Sequence, residues 1–161
     1  MSENHPLDIY DMPGHLLRRM HQASVAIFEN AVRGAGYDVT PVQFAALTMI
    51  AAQPGLDQTT LAQGIAYDRV TIVGVIDRLE SKGFVRREIP KTDRRARHLF
   101  LEAEGVAVYQ AIRPLVEDVQ SHIVDGLSES ENKTLHMLLK KALAKVGDIS
   151  RTPASKRLAP R

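Results

Sequence analysis

Residues 68–101 read DRVTIVGVIDRLESKGFVRREIPKTDRRARHLFL, and two hydrophobic periods meet inside them. Ile72, Val75, Ile76 and Leu79 recur at i, i+3, i+4 and i+7, the spacing of one buried helical stripe. Asp68 stands where a carboxylate can cap the first turn, and Gly83 where a helix commonly ends, so a helix is predicted over roughly residues 69–82. From Phe84 to Ile89 and again from Arg97 to Leu101 the pattern alternates with period two. Between these runs lies Pro90 to Ala96, polar and turn-like. The pattern is that of a two-stranded hairpin carrying a long basic loop.

Helical punctuation dominates on either side. Leu16, Met20, Ala23, Ile27 and Ala31 form an amphipathic stripe over 15–35, ended near Gly34 and Gly36. Thr40-Pro41-Val42-Gln43 is a capping box with proline at the first helical position, and the helix it starts should stop before Pro54-Gly55. Asp57 is placed to cap a short helix over 58–65. From Ala103 a long helix is expected, with Val106, Tyr109, Ile112, Val116, Val119 and Ile123 on one side and a kink at Pro114. Ser128-Glu129-Ser130-Glu131 is a second capping box, ahead of a last helix with Leu135, Leu138, Leu139, Ala142 and Val146. Residues 148–161 are basic, lack periodicity and read as a disordered tail. Two short tandem helices followed by a basic hairpin give the order of a winged helix-turn-helix, mainly α with a small β-hairpin wing.

Charge is uneven along the chain. The 161 residues carry a formal net charge of +2, but Tyr67 to Leu101 holds nine Lys/Arg against five acids. Arg151 to Arg161 adds four bases and no acid, while the remainder is acidic. Such an island is expected where one face meets a polyanion. The absence of cysteine excludes a thiol nucleophile, a cysteine redox switch and a zinc finger. His5, His15, His21, His98, His122 and His136 are scattered, with no i, i+4 pair to start a metal site. No phosphate loop, nucleophile elbow or carboxylate cluster suggests an enzyme, and no cofactor is expected. The uncharged run Val39 to Leu56 is interrupted by Pro41, Gln43, Thr48, Gln53 and Pro54, so it reads as a buried helix rather than a bilayer span. No signal peptide is visible, and a soluble, cytoplasmic protein is expected.

The face of the 69–82 helix opposite its buried stripe carries Val70, Thr71, Val73, Gly74, Asp77, Arg78 and Ser81. A merely solvated face would not favour small and apolar residues. Gly74 in mid-helix costs roughly 0.5–1 kcal/mol relative to alanine, which either close approach to a partner or packing against a neighbouring helix would explain. A major groove admits a helix, and thymine methyls offer contacts to Val70, Val73 or the methyl of Thr71. Arg69 and Arg78 are candidates for base or phosphate contacts. At the hairpin tip, Arg94 and Arg95 sit where an extended arginine can enter a minor groove, with Asp93 able to hold one of them as a bidentate pair.

These residues resemble the MarR-type transcription regulators. Asp93-x-Arg95, followed after five residues by Leu101, is similar to that family's wing signature, and Asp77-Arg78-Leu79-Glu80-x-x-Gly83-Phe84-Val85 is similar to the segment before it. The resemblance implies a homodimer with an intertwined helical dimerisation region over 8–36 and 103–147, and a winged helix-turn-helix DNA-binding domain over 37–102. It makes 68–82 the recognition helix and Arg95 the minor-groove arginine oriented by Asp93, with Asp68, Arg69, Val70, Thr71, Val73, Gly74, Arg78, Arg94 and Arg97 also at the DNA. The partner is then a pseudo-palindromic double-stranded operator, and the default activity repression. Two positions depart from the pattern: Gly74 stands where many members have a basic or polar residue, and Glu102 replaces the usual threonine cap.

The stretches from Tyr10 to Arg19 and from Thr40 to Ala45 resemble the subset controlling aromatic-acid degradation. This implies a small aromatic anion or aromatic acyl-CoA as effector. Candidate pocket residues are His15, Arg19 and Gln22, at i, i+4 and i+7 on one helix, with Phe44 as an aromatic wall and Thr48 as a hydroxyl. A winged-helix protein–protein adaptor and a constitutive DNA binder without effector are the alternatives.

Overall fold

Local capping chemistry sets the helices of the computed structural model, which describes residues 8–89 and 97–150, with side chains described as far as 145. A 3-10 turn at Ile9–Asp11 leads into α1, Pro13–Gly34. Helix α2, Pro41–Ala52, opens with the expected capping box: Gln43 N donates to Thr40 Oγ1 at 3.3 Å, and Thr40 N donates to Gln43 Oε1 at 3.1 Å. Asp57 caps α3, Gln58–Gly64, and Asp68 caps α4, Arg69–Ser81. Between α3 and α4, Ala66 takes a left-handed φ of 57°, a tight turn that the sequence did not announce. Gly83, at φ 71°, ends the α4 turn in a conformation that favours glycine.

The hairpin is shorter than its hydrophobic alternation suggests. Strands β1, Val85–Glu88, and β2, His98–Leu101, pair antiparallel, with Val85 opposite Leu101 and Arg87 opposite Leu99. Strand β2 is also held on its other edge, where Gly55 N donates to Leu99 O at 2.8 Å and Leu99 N to Leu56 O at 3.0 Å. Phe100 covers Gly55, whose φ of 86° suits glycine and whose missing Cβ leaves room for the ring. Helix α5, Ala103–His122, runs through Pro114 without interruption. Glu102 provides no side-chain cap to α5, as expected for a poor capping residue; it pairs with Arg86 Nε at 3.0 Å instead. A Cβ at Gly105 would overlap the Phe84 carbonyl, so that glycine lets α5 sit directly on the start of the wing. The last helix, α6, spans Glu129–Ser150, beyond the expected end at 147; Ser128 and Glu131 form its capping box.

The chain divides into two compact units, Met1–Ile123 and Val124–Arg161. In the first, Leu47, Ile50, Leu61, Ile72, Ile76, Leu79, Leu99 and Ile112 are fully buried and belong to one continuous core with Phe28 and Val32 of α1. Burying each such side chain contributes roughly 1.5–3 kcal/mol, so the wing is anchored to the helices mainly through Val85 and Leu99. In the second unit, α6 leaves Met137, Leu138 and Leu143 exposed.

Candidate nucleic-acid interface

The four predicted stripe residues of α4, Ile72, Val75, Ile76 and Leu79, are all buried. That fixes the opposite face outward: Val70 is 83% exposed and Val73 45% exposed, both high for valine. A Cβ built at Gly74 meets nothing within 4 Å, so within the described residues Gly74 is not a packing glycine. Among the described residues no neighbouring helix comes close to Gly74, and no contact at that position offsets the mid-helix cost.

At the N-terminus of α4, Asp68 accepts from Thr71 N at 2.9 Å and from the Thr71 hydroxyl at 2.6 Å. These hydrogen bonds, the hydroxyl's first, hold the Asp68 carboxyl below its usual range. They also occupy the Thr71 hydroxyl, leaving its methyl as the part free to meet a partner. The Arg69 and Arg78 side chains are exposed and make no ion pair or hydrogen bond among the described residues. Arg97 is half-buried just ahead of β2. Asp93, Arg94 and Arg95 fall outside the described residues, as does the tail from 151.

The basic island offers less free charge than its count implied. Lys82 Nζ is bound to Asp38 Oδ2 at 2.7 Å, and Arg86 lies over the Phe100 ring at 4.6 Å while pairing with Glu88 and Glu102. Arg87 reaches back across the turn to α4, with NH2 on Asp77 Oδ1 and NH1 on Glu80 Oε2, each at 2.5 Å. A count of basic residues does not suggest this bridge, because its partners lie ten and seven positions away on a different element. An acid pair at i, i+3 facing a strand arginine is the one signal that would have suggested it.

The proposed effector residues are not drawn into one cluster by their contacts. Phe44 stacks on Tyr109 with centroids 5.8 Å apart and lies 6.0 Å from Phe28, packed against the core. The Thr48 hydroxyl donates to Phe44 O at 2.8 Å, a bond within its own helix. His15 meets Tyr10 edge-on at 5.8 Å, near the start of α1. Arg19 and Gln22 are exposed. Arg19 precedes Phe28 by nine residues, about 13 Å along the helix axis. A separate cavity of about 330 Å³ opens between the end of α2, the wing base and α5, lined by Ile50, Pro54, Arg86, Phe100, Tyr109 and Gln110 among others. Among the described residues no cluster of three or more His, Asp or Glu side chains could hold a metal ion, and no helix is long and apolar enough to cross a membrane.

A capped helix with an outward apolar face, preceded by a second short helix and followed by a two-stranded hairpin, defines a winged helix-turn-helix. The MarR family model matches residues 39–96. The transcriptional regulator HosA of Escherichia coli is 30% identical over 129 residues, which cover 80% of this chain and 93% of HosA. The chain belongs to the MarR family of transcriptional regulators. The transcriptional repressor NicR of Pseudomonas putida is 28% identical over 141 residues, 88% of each chain. Among solved structures, the PcaV regulator of Streptomyces coelicolor in complex with its natural ligand superposes with a TM-score of 0.80 at 28% identity, over 87% of this chain and 97% of PcaV. BpsR of Bordetella bronchiseptica, whose DNA binding is regulated by 6-hydroxynicotinic acid, gives 0.79 at 28% identity, over 86% and 97%. A mutant of Escherichia coli MarR complexed with operator DNA gives 0.78 at 27%, over 86% and 99%.

Proposed function

We propose that this chain is a ligand-responsive, sequence-specific DNA-binding repressor that acts in the cytoplasm as a homodimer on a pseudo-palindromic operator. The observation that carries the reading is the outward face of α4, where Val70, Val73 and the open Gly74 lie between the exposed Arg69 and Arg78. In this reading α4 enters the major groove, with thymine methyls against the valines and the Thr71 methyl, and Asp68 holding the first turn. Arg95, oriented by Asp93, takes the minor groove, while Arg94 and Arg97 meet the backbone. The operator-bound MarR neighbour supports this docking, and the name of NicR supports repression. The chain is then not an enzyme, and 37–102 is its DNA-binding domain, with 8–36 and 103–147 serving dimerisation.

The test is fluorescence anisotropy on duplexes selected by the protein from a random-sequence pool. Tight binding should weaken steeply with salt through counterion release. Arg95→Ala should lose at least about 1 kcal/mol of affinity, the scale of one specific contact. A flat salt dependence, or no selected sequence, would point instead to a protein-docking adaptor.

For the switch, a small aromatic acid or its CoA thioester is the proposed effector, supported by the ligand-bound PcaV neighbour and the 6-hydroxynicotinic acid control of BpsR. His15, Arg19 and Gln22 would supply polar contacts, and Phe44 with Thr48 the inner wall. The cavity beside Arg86 and Tyr109 is a second seat, favoured by its volume, which falls at the low end of small-molecule sites. A panel including 6-hydroxynicotinic acid should raise the melting temperature and release DNA. Arg19→Ala and Tyr109→Ala then assign the seat. A panel without effect on either measurement leaves a constitutive DNA binder.

A further inference from the structure

We propose that Arg87 is a positioning residue for DNA recognition, a clasp that fixes the angle between the recognition helix and the wing. The inference rests on the DNA-binding reading of α4 and adds a residue with no place in it so far. Asp77 and Glu80 stand at i, i+3 on α4, in line with Val70 and Val73 at i−7 and i−4 from Asp77. The Arg87 guanidinium takes one oxygen from each acid at 2.5 Å, using both terminal nitrogens. With its amide oxygen turned toward the guanidinium, Gln58 at the start of α3 accepts from Nε at 3.0 Å. One side chain, 20% exposed, thereby joins both helices of the helix-turn-helix to the first strand of the wing.

Fold stability does not explain the arrangement. Asp77 and Glu80 are 56% and 40% exposed, so water partly screens their ion pairs, and Val85 and Leu99 already anchor the hairpin to the core. Beyond the Gly55 and Leu56 hydrogen bonds to Leu99 at its base, the two-stranded sheet has little rigidity of its own, and its swing relative to α4 sets how far the wing stands from a helix in the major groove. A guanidinium forked between two carboxylates restricts that swing, because both bonds demand one plane.

Charge and geometry predict opposite signs, which makes the clasp testable. The double variant Asp77→Asn/Glu80→Gln removes two negative charges from the DNA-facing side of α4 while leaving the core untouched. If these side chains act only through charge, DNA affinity rises; if they serve the clasp, affinity for the selected operator falls. Arg87→Gln changes the charge the other way and breaks the same bridge. The full-length protein is measured by anisotropy on its selected duplex and on a scrambled duplex, with melting temperature in parallel. Both variants should lower the ratio of specific to scrambled affinity by about tenfold or more, with melting temperatures close to wild type. An unchanged or raised ratio in the double variant overturns the clasp, as does a loss confined to the double variant, which would instead mark Asp77 or Glu80 as a direct base contact. If Arg87→Gln does not fold, Arg87→Lys, which keeps the charge but not the fork, takes its place with the same expected loss. Failure of the wild type to select any duplex overturns the DNA reading itself, and the clasp with it, whereas wild-type selection with unaltered variants overturns the clasp alone.

Discussion

Gly74 gives up helix propensity at an open position in mid-helix. Its Cβ position is open, so nothing among the described residues opposes a methyl group there. Gly74→Ala should therefore stabilise the protein by roughly 0.5–1 kcal/mol through helix propensity, read as a higher midpoint in urea. The same methyl stands on the face proposed to meet DNA, so affinity for the selected duplex should fall; equal or better binding would remove Gly74 from the proposed interface. The neighbouring Thr71 was legible only in part. Its position on the exposed face follows from the helical period, but the donation of its hydroxyl to Asp68 required the cap geometry. Arg87 was least legible of all, since a count of basic residues treats a guanidinium held by two acids like one facing solvent.

Elements were read more reliably than single contacts because their signals are local. Thr40 with Gln43, Asp57, Asp68 and Ser128 with Glu131 each cap a helix at the expected place, and Gly83 ends α4. Asp57 accepts from the amide and hydroxyl of Thr60 at 3.0 and 2.7 Å and from Thr59 N at 2.8 Å. The Thr60 bonds are the chief cause of its lowered pKa, as the Thr71 hydroxyl bond is for Asp68. Both folded-state values lie below the ordinary 3.8, so the stabilisation is fully present above that value and is lost as pH falls through the lower folded ones. The unfolding midpoint should thus hold steady through these two groups from neutral to mildly acidic pH and drop only under strongly acid conditions. Asp57→Ala should cost about 1 kcal/mol at pH 7 and progressively less in acid, as followed by urea titration at several pH values. A constant cost across that range would show that hydrogen bonding to the carboxylate is not its source.

At the scale of the molecule, each compact unit presents exposed apolar side chains among its described residues. Tyr10, Met12, Leu16, Leu17 and Met20 are exposed around the first half of α1, and Met137, Leu138 and Leu143 on α6. A second copy is the proposed cover, so the melting temperature should rise with protein concentration, and sedimentation should give twice the chain mass. Leu17→Glu and Leu143→Glu should shift that mass toward the monomer; a concentration-independent monomer in the wild type would reject the dimer. The sequence by itself determined the capped starts of α2, α3, α4 and α6, the presence of the hairpin, the buried stripe of α4 and the family signature, because caps, turn residues and hydrophobic period act over a few neighbouring positions. Only the tertiary structure decided which charges stay available, that a Cβ at Gly74 meets no neighbour among the described residues and that Phe44 is walled by Phe28 and Tyr109. Those outcomes depend on which elements fold against each other, and an ion pair or an open face exists only once residues far apart in the chain are brought within a few ångströms.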